Sequence, residues 1–195
     1  ATEGAQSVDA RFRENALGAR AAGIHVGYCH FLTAQTEAEA LAQADFFLSV
    51  IDGYEADCLL ALDAGSGAGL SVETLSRCTL AFLARVEERT GLGVMLHTDA
   101  WAARARYTAE VAKYPIWVAN HGAEAPEPNG QWIAWVGFQY GDRGEVPGIA
   151  GCVNLDAFTY QVYQIEAPAA PSPEPIPTPT DGTPGVFLTH RQWPE

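Results

Sequence analysis

Short apolar runs, each set between segments of helical periodicity, limit this chain to one class of fold. "IHVGYCHF" (Ile24–Phe31), "CLLALDAG" (Cys58–Gly65) and "GVMLHTD" (Gly93–Asp99) are too short for buried helices and read as strands. Between them lie amphipathic stretches over 7–23 and 36–52 and a third opened by Ser71 and Thr74 that runs to about Thr90. A fourth helical stretch follows the third strand, from Ala100 to about Lys113. Then "PIWVANHG", "WIAWVGFQYG" and "GIAGCVNLDAF" arrive with only short loops and no room for full helices. The expected order is α-β-α-β-α-β-α-β-β-β. Strands separated by helices pair in parallel, and the unbroken apolar runs suit burial on both faces. The expectation is a barrel-like α/β sheet that loses its helices in its last third.

A chain of 195 residues can bury one sizeable core. Past Phe158 the composition changes. "APAAPSPEPIPTPTDGTP" (167–184) is proline-dense and reads as an extended, semi-rigid tether. The residues after it, 185–195, are too few to fold alone, although Phe187, Leu188 and Trp193 could dock as a peptide. The expected division is a domain over 1–166, a linker over 167–184 and a terminal peptide over 185–195. A net charge of −13 argues against a nucleic-acid partner, because such surfaces gain affinity by neutralising phosphates with Lys and Arg. No apolar run reaches the roughly 18 residues of a membrane span. Cys29, Cys58, Cys78 and Cys152 form no CxxC pair, and three lie in apolar runs where a thiol acts as a small hydrophobe. They are expected to be reduced, with neither a metal nor a cofactor. No signal peptide is visible, but the chain begins "ATEG" without Met, so targeting information need not be present.

In α/β barrels chemistry gathers at the C-terminal ends of strands. Collecting those positions gives His30 and Phe31, Asp63, His97 and Asp99, Asn120 and His121, Gln139 and Tyr140, and Asn154 and Asp156. Trp117 precedes them on the fourth apolar run. Polar and aromatic groups recurring at successive strand ends suggest a polar cleft with aromatic walls, suited to sugars. One such histidine alone has the blander explanation of a capped core residue.

These pieces, taken in order, resemble the glycoside hydrolase family 25 lysozymes, or Chalaropsis-type muramidases. "ATEG" looks like the end of that family's second strand, and "AGIHVGYCHF" like its next strand. "AQADFF" resembles the following helix, and "LLALDAG" sits where the family has a strand ending in Asp-x-Glu. "WVAN" and "FQYGDRGEVPGIAGCVNLDAF" are similar to its later strands, so the resemblance covers about Ala1 to Phe158. It implies an irregular (β/α)5(β)3 barrel that here lacks its first strand, and a bacterial peptidoglycan substrate cut between N-acetylmuramic acid and N-acetylglucosamine. His30, Phe31, His97, Trp117, Asn120, Gln139, Tyr140 and Asn154 would line the glycan cleft.

The departures fall where the chemistry should be. Asp63 is kept, as a vestigial or stabilising group, but Gly65 stands in the position of the Glu that serves the family as general acid. The closing strand has Asn154 where the family has Asp, with a carboxylate two residues later at Asp156. A glycosidic oxygen leaves poorly unless protonated, and general acid catalysis supplies about 10² to 10⁴ in rate. Glu3, Asp99 and Asp156 also lie near strand ends and could substitute. The expectation is a wall-glycan-binding or structural module with lost or weak hydrolysis, belonging to a larger extracellular, wall-associated or virion assembly reached through the tail. The alternative is an active muramidase with a relocated acid. An N-terminal segment or another chain is expected to supply the missing strand.

Overall fold

Eight strands form one sheet: β1 (Thr2–Glu3), β2 (Ser7–Val8), β3 (Cys29–Phe31), β4 (Leu60–Asp63), β5 (Val94–Asp99), β6 (Ile116–Ala119), β7 (Gly137–Gly144) and β8 (Val153–Phe158). Their order is β2-β1-β3-β4-β5-β6-β7-β8. From β1 through β7 neighbours run parallel, and β2 and β8 pair antiparallel at the two ends. The computed structural model describes residues 1–65, 67 and 69–164, so the tether expected over 167–184 and the peptide over 185–195 lie outside the described residues. Among the described residues, four α-helices complete the fold: α1 (Phe12–Ala21), α2 (Glu37–Ile51), α3 (Val72–Thr90) and α4 (Ala100–Ala105).

Local chemistry sets the helix ends. The Thr36 hydroxyl accepts from Glu39 N–H at 3.2 Å, and Glu39 Oε2 in return accepts from Gln35 N–H at 2.7 Å, which holds the start of α2. Ser71 does the same for α3 through Thr74 N–H, and α3 ends at Gly91, whose φ of +68° suits only glycine. Asp99 Oδ1 accepts from Ala102 N–H at 2.8 Å and so starts α4 directly from the tip of β5.

Alternation along the strands divides the core in two. Leu60, Leu62, Val94, Leu96, Ile116, Val118 and Phe138 face the helices and pack with Phe47 of α2 and Phe82 and Val86 of α3. Ala61, Met95, Trp117 and Val136 face the other way and form a second cluster with Leu59, Cys58 and Val162. His30 belongs to the helix-facing layer: it is wholly buried, with its ring stacked on Phe82 at 4.7 Å. Thr33 N–H donates to Gln43 Oε1, which orients that amide and makes His30 Nε2 the donor to the same oxygen at 3.2 Å. Nδ1 then accepts from the Thr2 hydroxyl at 2.8 Å. Burial pushes the His30 pKa down to about 4, so the ring is neutral in the folded protein.

Three boundaries differ from the sequence expectation, each for a tertiary reason. Ser7 and Val8 pair back on Glu3 and Thr2 across a turn at Gly4, and Asp9 accepts from Arg11 N–H, so the first helix starts at Phe12 rather than Ser7. The helix expected to reach Lys113 stops at Ala105, because Thr108 N–H donates to Ser76 Oγ and Tyr107 is buried edge-on against Trp132. β7 starts only at Gly137, since Trp132 turns into the core and its indole N–H donates to Tyr114 O at 2.8 Å. The four cysteines are free thiols, Cys58 and Cys78 buried, Cys29 half-buried and Cys152 exposed.

Gln43→Leu keeps the volume but leaves the His30 N–H without an acceptor in the core. The expected loss is about 2 kcal/mol, measured as a lowered urea midpoint with an unchanged slope.

Candidate functional site

Strand pairing alone assembles a line of side chains. In register, Glu3 pairs with Phe31, Phe31 with Asp63, Asp63 with His97, His97 with Trp117, Trp117 with Gly137, and Gly137 with Phe158. Partners in register share a face, so this line runs across seven strands on the side away from the helices. Two residues further along lies a second line, Asp99, Ala119, Gln139 and Asp156. Both lie toward the C-terminal ends of the parallel strands.

Within these lines the contacts are specific. Asp63 Oδ1 accepts from Gly65 N–H at 3.0 Å, and Oδ2 stands 3.4 Å from His97 Nδ1. Gly65 O accepts from the Thr98 hydroxyl at 2.8 Å, which ties the loop after β4 to β5. His97 packs on Trp117 with ring centroids 4.2 Å apart. Gly137 lies beside Trp117, and a Cβ there would come within 2.6 Å of the indole. The vacant side-chain position lets the ring lean across β7, and its Nε1–H donates to Asp156 Oδ1 on β8 at 2.8 Å.

Beyond Asp156, His121 Nε2 donates to Gln139 Oε1 at 2.9 Å, while His121 Nδ1 lies 3.9 Å from Asp142 Oδ2. Burial pushes the Asp156 carboxyl up to about 6, against the lowering pull of the Trp117 N–H, His97, the Gln139 amide and His121. Burial also pushes the Cys29 thiol up to about 12, with the nearby Asp63 charge adding to it.

The structure therefore brings together Phe31, Asp63, His97, Trp117, Gln139, Asp99 and Asp156, with Glu3 at one end. Asn120 stands at the edge, its backbone N–H donating to Gln139 O. Asn154 lies in the irregular stretch of β8, between the pairs Leu155–Gly141 and Val153–Gly144. Two expected members do not join. His30, one residue before Phe31, points to the opposite face for the alternation reason given above. Tyr140, one residue beyond Gln139, is exposed with its ring near Phe138, so it belongs to the rim. Asp99 is in the second line, but one of its oxygens caps α4. Sequence reasoning missed Trp101 and Arg106, which lie just past a strand end and carry no motif. Among the described residues, no group of three or more His, Cys, Asp or Glu could hold a metal ion. Nor, among them, is any helix long and apolar enough to cross a membrane.

Asp156→Asn keeps the acceptor for Trp117 but removes a carboxylate whose charged form is disfavoured in the fold. A carboxyl raised to about 6 binds more protons folded than unfolded between about pH 4 and 6, so its charge weakens the fold above pH 6 and costs nothing below pH 4. The variant is expected to be about 3 kcal/mol more stable than wild type at pH 8, with the difference gone once the pH falls below about 4. Denaturant midpoints across that range test this.

Comparison with known proteins bears on the family and the fold. The model of the glycosyl hydrolases family 25 matches residues 1–149. The autolytic lysozyme of Clostridium acetobutylicum is 31% identical, over 82% of this chain and 47% of that protein. The crystal structure of the CTP1L endolysin superposes with a TM-score of 0.72 at 26% identity, covering 83% of this chain and 57% of that one. The bacterial lysozyme from Streptomyces coelicolor gives a TM-score of 0.68 at 29% identity, covering 81% and 78%. The chain spans about half to three-fifths of the curated relatives it matches. With the family model covering most of its length and a relative 31% identical over 82% of it, the chain belongs to glycosyl hydrolase family 25.

Proposed function

We propose that this domain holds bacterial peptidoglycan glycan in the cleft along Phe31, Asp63, His97, Trp117 and Gln139, with hydrolysis lost or weak. The observation that carries this reading is Gly65. It occupies the position from which a carboxylic acid would protonate the leaving oxygen, and its own backbone is engaged, N–H to Asp63 and C=O from Thr98. Glycine supplies no proton, and the Asp63 carboxylate is occupied with holding that loop and facing His97. Aromatic and amide groups that bind a sugar remain while the acid is gone. The autolysin, lysozyme and endolysin likenesses support a wall glycan as the ligand and an extracellular, wall-associated or virion setting. In this reading the eight-stranded sheet is the family's irregular barrel.

A second reading is favoured by one group. Asp156, raised to about 6 and set in the cleft beside His97 and His121, is a carboxyl able to carry a proton near neutral pH. In that reading the domain is an active muramidase with a relocated acid.

Sedimentation with purified cell walls and a turbidity assay separate the two. The expected result is binding without clearing. Gly65→Glu is expected to give no robust lysis. The new side chain has room, since its Cβ would stand 3.9 Å from the Phe31 ring, but φ is +50° and Asn154 still lacks charge. Clearing by the wild-type protein that Asp156→Asn abolishes would establish the active reading and end the silent one.

A further inference from the structure

Trp101 is more than half exposed, an expensive surface for an indole. The Arg106 guanidinium lies over its ring, 6.0 Å from the centroid. The same guanidinium donates from Nη2 to Gly67 O at 3.2 Å and to Leu70 O at 2.5 Å. One cation thus fixes the indole and also the loop that leaves Asp63. α4 begins directly at the tip of β5, with Asp99 as its cap, so its first turn sits level with the C-terminal strand ends. Ala100, Ala102 and Ala103 bury the inner side of that turn and leave Trp101 on its outer side. These contacts place the ring toward the C-terminal end of the sheet, linked through Arg106 to Gly67 and Leu70 after β4.

We infer that Trp101 is a sugar-stacking platform that extends the cleft by one residue of the glycan beyond Asp63, over the β4–α3 loop. The inference rests on the glycan-binding reading above. Arg106 occupies one face of the indole, and the aliphatic C–H face of a pyranose ring suits the other, because it offers apolar contact without needing a hydrogen bond from the ring. A platform pinned by a cation loses little side-chain freedom when a sugar stacks on it. Arg106 serves as its positioning residue.

The test is calorimetric binding of soluble, uncrosslinked peptidoglycan glycan strands to the whole chain, comparing wild type, Trp101→Ala, Trp101→Phe and Gln139→Ala. Thermal midpoints are recorded for each. Trp101→Ala is expected to weaken binding about tenfold and Trp101→Phe only two- to threefold, both with midpoints close to wild type. Wild-type affinity in Trp101→Ala, alongside weakened binding in Gln139→Ala, would overturn the platform while leaving the cleft as the glycan site. An equal loss in Trp101→Ala and Trp101→Phe also overturns it, because stacking tolerates the exchange of one aromatic ring for another. No binding by the wild-type protein removes the glycan reading itself and the platform with it.

Discussion

Parallel register is the constraint on which the site depends. Six strands from β1 to β7 are hydrogen-bonded side by side in one direction, so residues far apart in sequence become lateral neighbours at the height of one pleat. A slip of one residue in any strand would turn its member of the line toward the helices. The helix-facing layer resists that slip. His30 is held by Thr2 and Gln43 between Phe47 and Phe82, so Phe31 and Asp63 have no freedom to exchange faces with their neighbours. The polar staple behind the sheet thereby fixes the polar groups in front of it.

On that framework the line works through what is absent as much as what is present. Gly137 leaves a gap between two bulky rings, Trp117 on one side and Phe158 on the other. Through it an indole from β6 reaches a carboxylate on β8. That contact couples the last parallel strand pair to the antiparallel hairpin, whose register otherwise shifts twice between Gln139 and Gly144. The acids nearby are drawn into similar duties: Asp99 into capping a helix, and Asp63 into closing the turn at Gly65. Each of these carboxylates is thereby held in place by the fold.

Much of this was legible in the sequence. Alternation of strand and helix, the succession of strands without α-helices between them after β6, the capped start at Ser71 and the collection of polar groups at strand tips all came from local patterns. What stayed hidden was what depends on partners remote in the chain. "IHVGYCHF" has a strand's composition, yet only Cys29–Phe31 pairs regularly, and nothing local says which of His30 and Phe31 faces the cleft. The stretch Ala100–Lys113 has helical periodicity, broken in the fold by a bond from Thr108 to a serine thirty-two residues away. Trp101 carries no motif because its role comes from an arginine five residues later and from the loop that arginine grips.

After β8 the chain makes a short turn of 3-10 helix at Tyr160–Val162, and Gln164 then closes the underside of the sheet. Its side-chain amide bonds Gly93 N and O and Cys58 O, at the ends where β5 and β4 begin. Gln164, the last described residue, therefore sits at the end of the sheet opposite the line of candidate site residues. In mechanical terms Gln164 is a tie across the starts of two parallel strands, so losing it would loosen that end of β4 and β5 before it disturbed the line of side chains at the other.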